Sequence, residues 1–333
     1  MAFFRKKLAI DLGSANTLFY LKGKGVILAE PAVVAINYWE KKAVAVGHKA
    51  KGFMGRTPQH IKAFRPLKDG FMADLTSTMV MLAQFYEKIF NHKKRKSKWV
   101  LIVPTAITAE TKKEIRESAR GVGCSKISFL SESMAAALGA GFDVKANRGR
   151  IIINIGGAIC EIAVIINGTV TFSRVTSFAG DALDDAVIKH LKEKYGVHIS
   201  ENMAEKCKHA IGSALPQIRD VFPLIGKDMK TNVPRALEVK ALELQQAIRE
   251  PLDVLKNFLK ECLAAISAAH IKDAREDGIL LVGGGTLLPG LDTFLTAELG
   301  FAMVRDKEPL LTVIKGGGIA LERPLKYRKI FMK

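Results

Sequence analysis

The strongest constraint in this chain is that it repeats itself. Residues 8 to 27, LAIDLGSANTLFYLKGKGVI, align without a gap on residues 151 to 170, IIINIGGAICEIAVIINGTV, at a constant offset of 143. Asp11 falls on Asn154, Gly13 on Gly156, Ala15 on Ala158 and Gly25 on Gly168. Each copy reads as an apolar strand, a small polar turn, a second strand, a glycine turn and a third strand. Each is followed, after a long insertion, by a further strand and a helix, at 99 to 120 and 278 to 298. Two copies of one β-rich fold facing each other would make a cleft lined by two hairpin turns.

The rest of the chain alternates strand-like and helix-like segments, so the expected class is α/β. Apolar residues Met79, Leu82, Phe85 and Phe90 recur at helical spacing in 74 to 90, behind a cap at Asp74 or Thr76. WVLIVP (99 to 104) reads as a buried strand, and 108 to 120 as a charged helix stopped by Gly121 and Gly123. Residues 181 to 196 and 201 to 213 read as two helices separated at Gly196 and Ser200. Within the helical stretch 241 to 270, Pro251 is expected to kink or split the helix. Helices are also expected from about Leu291 and over 310 to 321. With 333 residues, 48% of them hydrophobic, two domains are expected rather than one.

Each turn carries phosphate-binding chemistry. Glycines let the backbone approach an anion closely and aim its N–H groups at it. In DLGSANT (11 to 17), Ser14, Asn16 and Thr17 add side-chain donors, and Asp11 can hold the water shell of Mg²⁺. A third glycine turn, Gly283, Gly284 and Gly285, follows a strand and suits a backbone lying against a flat or anionic group. The three together, in this order, point to a nucleotide cleft.

Charge bounds the partners. The formal net charge of +18 implies an anionic partner: nucleic acid, membrane or acidic protein. The cations cluster in HKKRKSK (92 to 98), in FFRKK near the start and in RPLKYRKIFMK (323 to 333). The ends interleave Lys and Arg with Phe, Leu, Tyr and Ile, which suits an anionic membrane interface better than a DNA groove. No specific nucleic acid is expected. No apolar run reaches the roughly 18 residues of a membrane span, and MAFFRKK lacks the apolar region of a signal peptide. The four cysteines are scattered, with no CxxC, which fits a reducing cytoplasm. Cys160 reads as a small buried apolar residue.

Several stretches resemble one family. DLGSANTLFYLKGKGVILAEPAVVAI, MGRTPQHI, RPLKDGFMAD, SESMAAALGAG, NIGGAICEIAVI, GSALP, VPR, VGGGTLLPGLD and GGGIALE are similar to the bacterial actin MreB family, collinearly from about residue 8 to 322. The resemblance implies the actin-like (actin/Hsp70/hexokinase) fold, with duplicated RNase H-like cores and ATP or ADP with Mg²⁺ between two lobes. It implies a first lobe of 1–145 plus 315–333, with a small subdomain at about 30–65, and a second of 146–314, with a small subdomain at about 181–240. It also implies self-association into filaments that lie, with other shape proteins, on the inner face of the cell membrane. By that resemblance Asp11, Gly13, Ser14, Ala15 and Asn16 form the first phosphate loop and Gly156, Gly157 and Ala158 the second. Glu205 and Lys208 approach the ribose and base, and Gly283, Gly284 and Gly285 the adenosine. Glu132 positions or activates the attacking water, with Ser133 where the family has Pro.

The departures sit in the second loop. The family pattern DIGGGTT is here NIGGAIC, so an acid becomes Asn154, a glycine Ala158, and two hydroxyls Ile159 and Cys160. Asn keeps the shape of Asp but is not a base and attracts a hydrated metal less. Ile159 donates nothing to a phosphate or a water. Hydrolysis is therefore expected to be slow or impaired, and binding to suffer less. Open alternatives are a fully active ATPase of the same family and a small-molecule kinase of the same superfamily.

Overall fold

A computed structural model describes residues 6–40, 42–55, 57–68, 71–72, 74–91, 96–216 and 220–332. Most of the 92 to 98 cation run and the residues ahead of Lys6 lie outside them. Backbone contacts divide the chain into two units. One comprises Met1–Ile152, Ala163–Ser173 and Leu310–Lys333; the other comprises Ile153–Ile162 and Arg174–Pro309.

The first unit opens with β1 (Lys6–Leu12), β2 (Asn16–Leu21) and β3 (Gly25–Pro31), an antiparallel meander. Leu8, Ala9 and Ile10 are all fully buried, so β1 is covered on both faces. Next come β4 (Val34–Asn37), β5 (Lys42–Val46), α1 (His48–Phe53) and β6 (Ile61–Phe64). These build a three-stranded sheet, order β5-β4-β6, with its own small core around Val33, Ala35 and Ala50. A short hairpin, β7 (Leu67–Lys68) and β8 (Phe71–Met72), leads to α2 (Leu75–Phe90). Asp74 caps α2 by accepting the Ser77 N–H at 2.9 Å, and Asn91 ends it in the left-handed conformation. Met79, Leu82, Phe85 and Phe90 are all buried, as their spacing predicts.

β9 (Ser97–Val103) lies parallel to β1. Helix α3 (Ala109–Gly121) is capped by Thr108 and followed by β10 (Cys124–Ser131), parallel to β9, and α4 (Glu132–Gly139). The sheet order is β10-β9-β1-β2-β3. The strand over 124 to 131 has no signal in the sequence reading, because its exposed half, Ser125 and Lys126, breaks the apolar pattern.

The second copy runs β11 (Arg150–Ile155), β12 (Cys160–Ile166), β13 (Thr169–Thr176), α5 (Gly180–Tyr195), β14 (Val197–His198) and α6 (Glu201–Ile211). Gly196, at φ 64°, ends α5, and Ser200 caps α6. Then follow β15 (Val221–Asp228), β16 (Pro234–Lys240), α7 (Ala241–Ala247), α8 (Arg249–Ala265) and α9 (Ala268–Asp277). The β15–β16 hairpin, which pairs with β14, is also absent from the sequence reading. The helical stretch 241 to 270 is split as Pro251 predicts, though the break falls three residues ahead of it, at Ile248 between α7 and α8. Pro251 sits in the first turn of α8, where its missing N–H has no intrahelical acceptor to lose. A second break, which the sequence does not announce, comes at Ile266–Ser267.

The chain closes with β17 (Ile279–Val282), α10 (Leu291–Leu299), β18 (Met303–Arg305) and α11 (Thr312–Glu322). The second sheet has the order β13-β12-β11-β17-β18. Replacing β1, β2, β3, β9 and β10 by β11, β12, β13, β17 and β18 gives the order of the first sheet, so the duplication extends to topology.

α11 carries three consecutive glycines in its interior, each costing about 1 kcal/mol against Ala. Packing explains them. A Cβ on Gly316 would lie 1.7 Å from the Ala135 carbonyl oxygen of α4, and one on Gly139 of α4 would lie 1.8 Å from the Thr312 oxygen. Gly317 faces Ala9 of β1 and Ile102 of β9, and Gly318 faces the Tyr20 ring. The basic tail then folds back on the first unit. Tyr327 and Ile330 are buried, Phe331 is half-buried, and Met332 N–H donates to the Phe129 oxygen at 2.9 Å. Only Leu325 of its interleaved apolar side chains stands fully in solvent, at 91% exposure.

Gly316→Ala should destabilise the chain by about 2 kcal/mol or more, by the scale of overpacking a close contact. Gly52→Ala in α1, where a Cβ meets nothing within 4 Å, should be neutral or stabilising. Urea unfolding of the two variants checks the contrast.

Candidate functional site

In the first unit, β1 delivers Asp11 to the edge of its turn. Asp11 pairs across β2 with Leu18 and across β9 with Ile102. Its carboxylate is half-buried, and loss of water raises its pKa to about 7. Among the described residues no hydrogen bond or ion pair reaches it. The turn is tight, since a Cβ on Gly13 would lie 2.9 Å from the Asn16 oxygen. Ser14 is buried, Ala15 accepts the Ala32 N–H at 2.9 Å, and Asn16 is exposed. Thr17 is fully buried, and its hydroxyl has no partner among the described residues.

Glu132 is the first residue of α4, directly after the Ser131 cap, and is buried. Ser133, where the family pattern has Pro, brings its hydroxyl to 3.4 Å from that of Thr105, just past the end of β9. Asp11 and Glu132 therefore both sit at the same end of the parallel strands β1, β9 and β10, on one scaffold.

The second unit brings together residues that sequence spacing leaves far apart. A Cβ on Gly283 would lie 2.3 Å from the Ile155 oxygen and 2.5 Å from the Asn154 Oδ1. One on Gly285 would lie 2.4 Å from the Ile155 side chain. Gly283 also has φ +89°, which only glycine adopts without strain. Thus the third glycine turn rests directly on the end of the altered hairpin. Thr286 holds the loop by donating its hydroxyl to the Gly283 oxygen at 2.7 Å.

The hairpin turn is closed by Gly156 N–H donating to the Ile159 oxygen at 2.8 Å. Its carbonyls are then taken by the start of α5. Gly180 N–H donates to Gly156 O at 3.2 Å and Asp181 N–H to Gly157 O at 2.7 Å. Ala158 and Ile159 are buried, as is Cys160, whose thiol burial holds protonated. The residue in place of the family's first hydroxyl is therefore part of the packing.

Lys208 is buried, and its ammonium donates to Asp184 Oδ2 and to Gly180 O, both at 2.9 Å. Desolvation raises the Asp184 pKa to about 6 despite Lys208; the charges of Glu205 and Asp181 push the same way. Asp184 Oδ1 has no partner among the described residues. Sequence reasoning missed Asp184. The only signal was a run of acids at a helix start, in GDALDD (180 to 185), with Asp181 in the first turn of α5 and Asp184 just beyond it, and that is ordinary at any helix start.

The family model described as MreB/Mbl protein matches residues 5–329. The chain belongs to the MreB/Mbl family. Curated MreB/Mbl relatives are similar over nearly the full length. The cell shape-determining protein MreB of Escherichia coli (strain K12) is 40% identical over 327 residues, covering 96% of this chain and 94% of that one. The cell shape-determining protein Mbl of Bacillus subtilis (strain 168) is 35% identical over 329 residues, covering 98% of each. Among solved structures, MreB5 of Spiroplasma citri bound to ADP matches with a TM-score of 0.90 at 26% identity, covering 97% of this chain and 99% of that one. The MamK double helical filament chain matches with a TM-score of 0.77 at 17% identity, covering 97% of this chain and 99% of that one. The fold of this MreB/Mbl chain is therefore actin-like.

Two outcomes test the charges. Asp11 gives up its proton at about 3.8 unfolded and at about 7 folded, so the folded state binds more protons between those values. Without divalent cation, stability should fall as pH rises through that window, and Asp11→Asn should flatten the fall in a pH series of urea unfolding. Lys208→Met strands a buried carboxylate and should cost about 3–5 kcal/mol; adding Asp184→Asn should recover most of it.

Proposed function

We propose that this chain is a nucleotide-dependent bacterial actin that binds ATP or ADP with Mg²⁺, assembles into filaments and organises cell shape. Its place is the cytoplasm, peripheral to the inner face of the cell membrane. The observation that carries the nucleotide reading is the glycine loop at Gly283–Gly285 resting on Asn154 and Ile155. It gives the second unit a small-residue surface built from two distant turns. The Spiroplasma citri relative solved with ADP and with AMPPNP supports the same ligand class. Curated relatives named cell shape-determining proteins support the cellular role.

Each residue has a part in this reading. Backbone N–H groups of Gly13–Asn16 and of Gly157–Ala158 hold phosphates, and Gly283–Gly285 lie on the adenosine side. Glu205 and Lys208 bound the ribose and base. Lys208 does so with its ammonium committed to Asp184 and Gly180, so it shapes the pocket more than it donates to a ligand. A desolvated Asp11 without a partner fits a hydrated Mg²⁺ held through water. Bound there, Mg²⁺ would neutralise charge on the phosphates. Glu132 orients the attacking water. The membrane surface is reached through the basic and apolar head, the 92 to 98 loop and exposed Leu325.

Asn154 and Ile159 weaken turnover more than binding. The scale of removing one oriented donor is about 10² in rate. Asn154→Asp with Ile159→Thr should therefore raise phosphate release about 10²-fold with little change in ATP affinity, and Glu132→Gln should suppress what remains. A wild-type release rate equal to that of Escherichia coli MreB under the same conditions would favour the fully active reading. Pelleting with ATP, ADP and a non-hydrolysable analogue tests assembly; no polymer in any of the three would sink the filament proposal.

A further inference from the structure

The first unit contains a cavity of about 230 Å³, away from both glycine turns. It opens at the starting ends of β1, β9 and β10, beyond the C-terminal end of α11. Its walls include Lys7, Lys98 and Lys126, with Ser128, Leu321 and Phe331. The three lysines are not scattered. Lys98 is in register with Lys7 on one side and with Lys126 on the other. In a parallel sheet, residues in register point to the same face, with neighbouring strands about 4.8 Å apart. Like charges set directly across strands destabilise a sheet. Among the described residues no carboxylate pairs with any of the three ammonium groups. The nearby carboxylate of Glu322 is already engaged by Gly23 N–H and Lys22. Arg323, Lys326, Arg328 and Lys329 of the folded-back tail add further exposed cations. The fold thus holds a row of three uncompensated charges over an apolar floor.

We propose that this row is a binding site for a phosphate monoester carrying a short apolar group. A dianionic phosphate offsets two of the three charges, where a carboxylate offsets one, and lysines bind phosphate as point charges. Ser128 supplies a neutral donor. Leu321 and Phe331 supply a wall for the carbon part. The volume suits a headgroup-sized ligand rather than a whole cofactor. The phosphate can come from a soluble ester or from a lipid headgroup.

Trp99, next to Lys98 on β9, turns its indole to the opposite face of the sheet, into the core beside Tyr86 and Leu101, so fluorescence does not read this cavity. Isothermal titration calorimetry of the full chain does. The chain is titrated with hexyl phosphate at fixed ionic strength, with and without saturating ADP, so that phosphate held elsewhere is not read. A saturable binding heat is expected. Lys98→Ala and Lys126→Ala should each weaken it about tenfold, the scale of one charge-assisted hydrogen bond, while Lys96→Ala, outside the row, should not. Both row lysines are exposed, and circular dichroism checks that the variants fold. Vesicles containing phosphatidic acid, compared with phosphatidylglycerol at equal surface charge, separate the sources. A preference for the monoester lipid assigns a membrane headgroup, and its absence alongside hexyl phosphate binding assigns a soluble ester. No saturable response, or an equal loss from Lys96→Ala, overturns the proposal and leaves the row as solvated surface charge.

Discussion

Two helix backbones touch where Gly139 of α4 and Gly316 of α11 meet, with no room for a methyl group on either side. The contact does more than hold two helices. α11 continues onto β1 through Gly317, and β1 carries Asp11 one residue before its end. α4 begins with Glu132. The same close approach therefore sets Asp11 and Glu132 against one sheet. Glycines that weaken a helix in isolation are retained because the tertiary contact outweighs their cost.

The second unit solves the matching problem differently. Its altered turn is anchored by hydrogen bonds from the start of α5, and α5 is in turn tied to α6 by Lys208 bridging Gly180 and Asp184. Position is thus preserved where chemistry is not. Asn154 keeps its seat beneath Gly283, and Ile159 fills the space of a hydroxyl as core. An unpaired acid in the first unit and a neutralised counterpart in the second make the duplicated halves electrostatically unequal.

Much of this was legible in the sequence, and the reason is periodicity. The constant offset of 143 exposed the duplication because paired strands and glycine turns tolerate no insertion. Met79, Leu82, Phe85 and Phe90 announced α2 by spacing alone. What stayed hidden was what periodicity does not carry. β10 alternates poorly because one end is exposed, and the β15–β16 hairpin places Val221 and Ile225 in solvent, so neither face looked like a core. Pro251 announced a split but not its position, because a proline in the first turn of a helix breaks the chain ahead of itself, at Ile248. At the site, no spacing rule connects residue 154 with residue 283, or residue 184 with residue 208.

The tail also changes meaning. Written as sequence it is a cationic appendage, yet Met332 makes an isolated antiparallel bridge to Phe129 on β10. β10 is the outermost strand of its sheet, and a bare outer strand is a template on which another chain can build. The last residues shield part of that template. A fusion partner or tag joined there would compete with this shield, and its effect would surface as disordered aggregation of the chain rather than as any change in nucleotide chemistry.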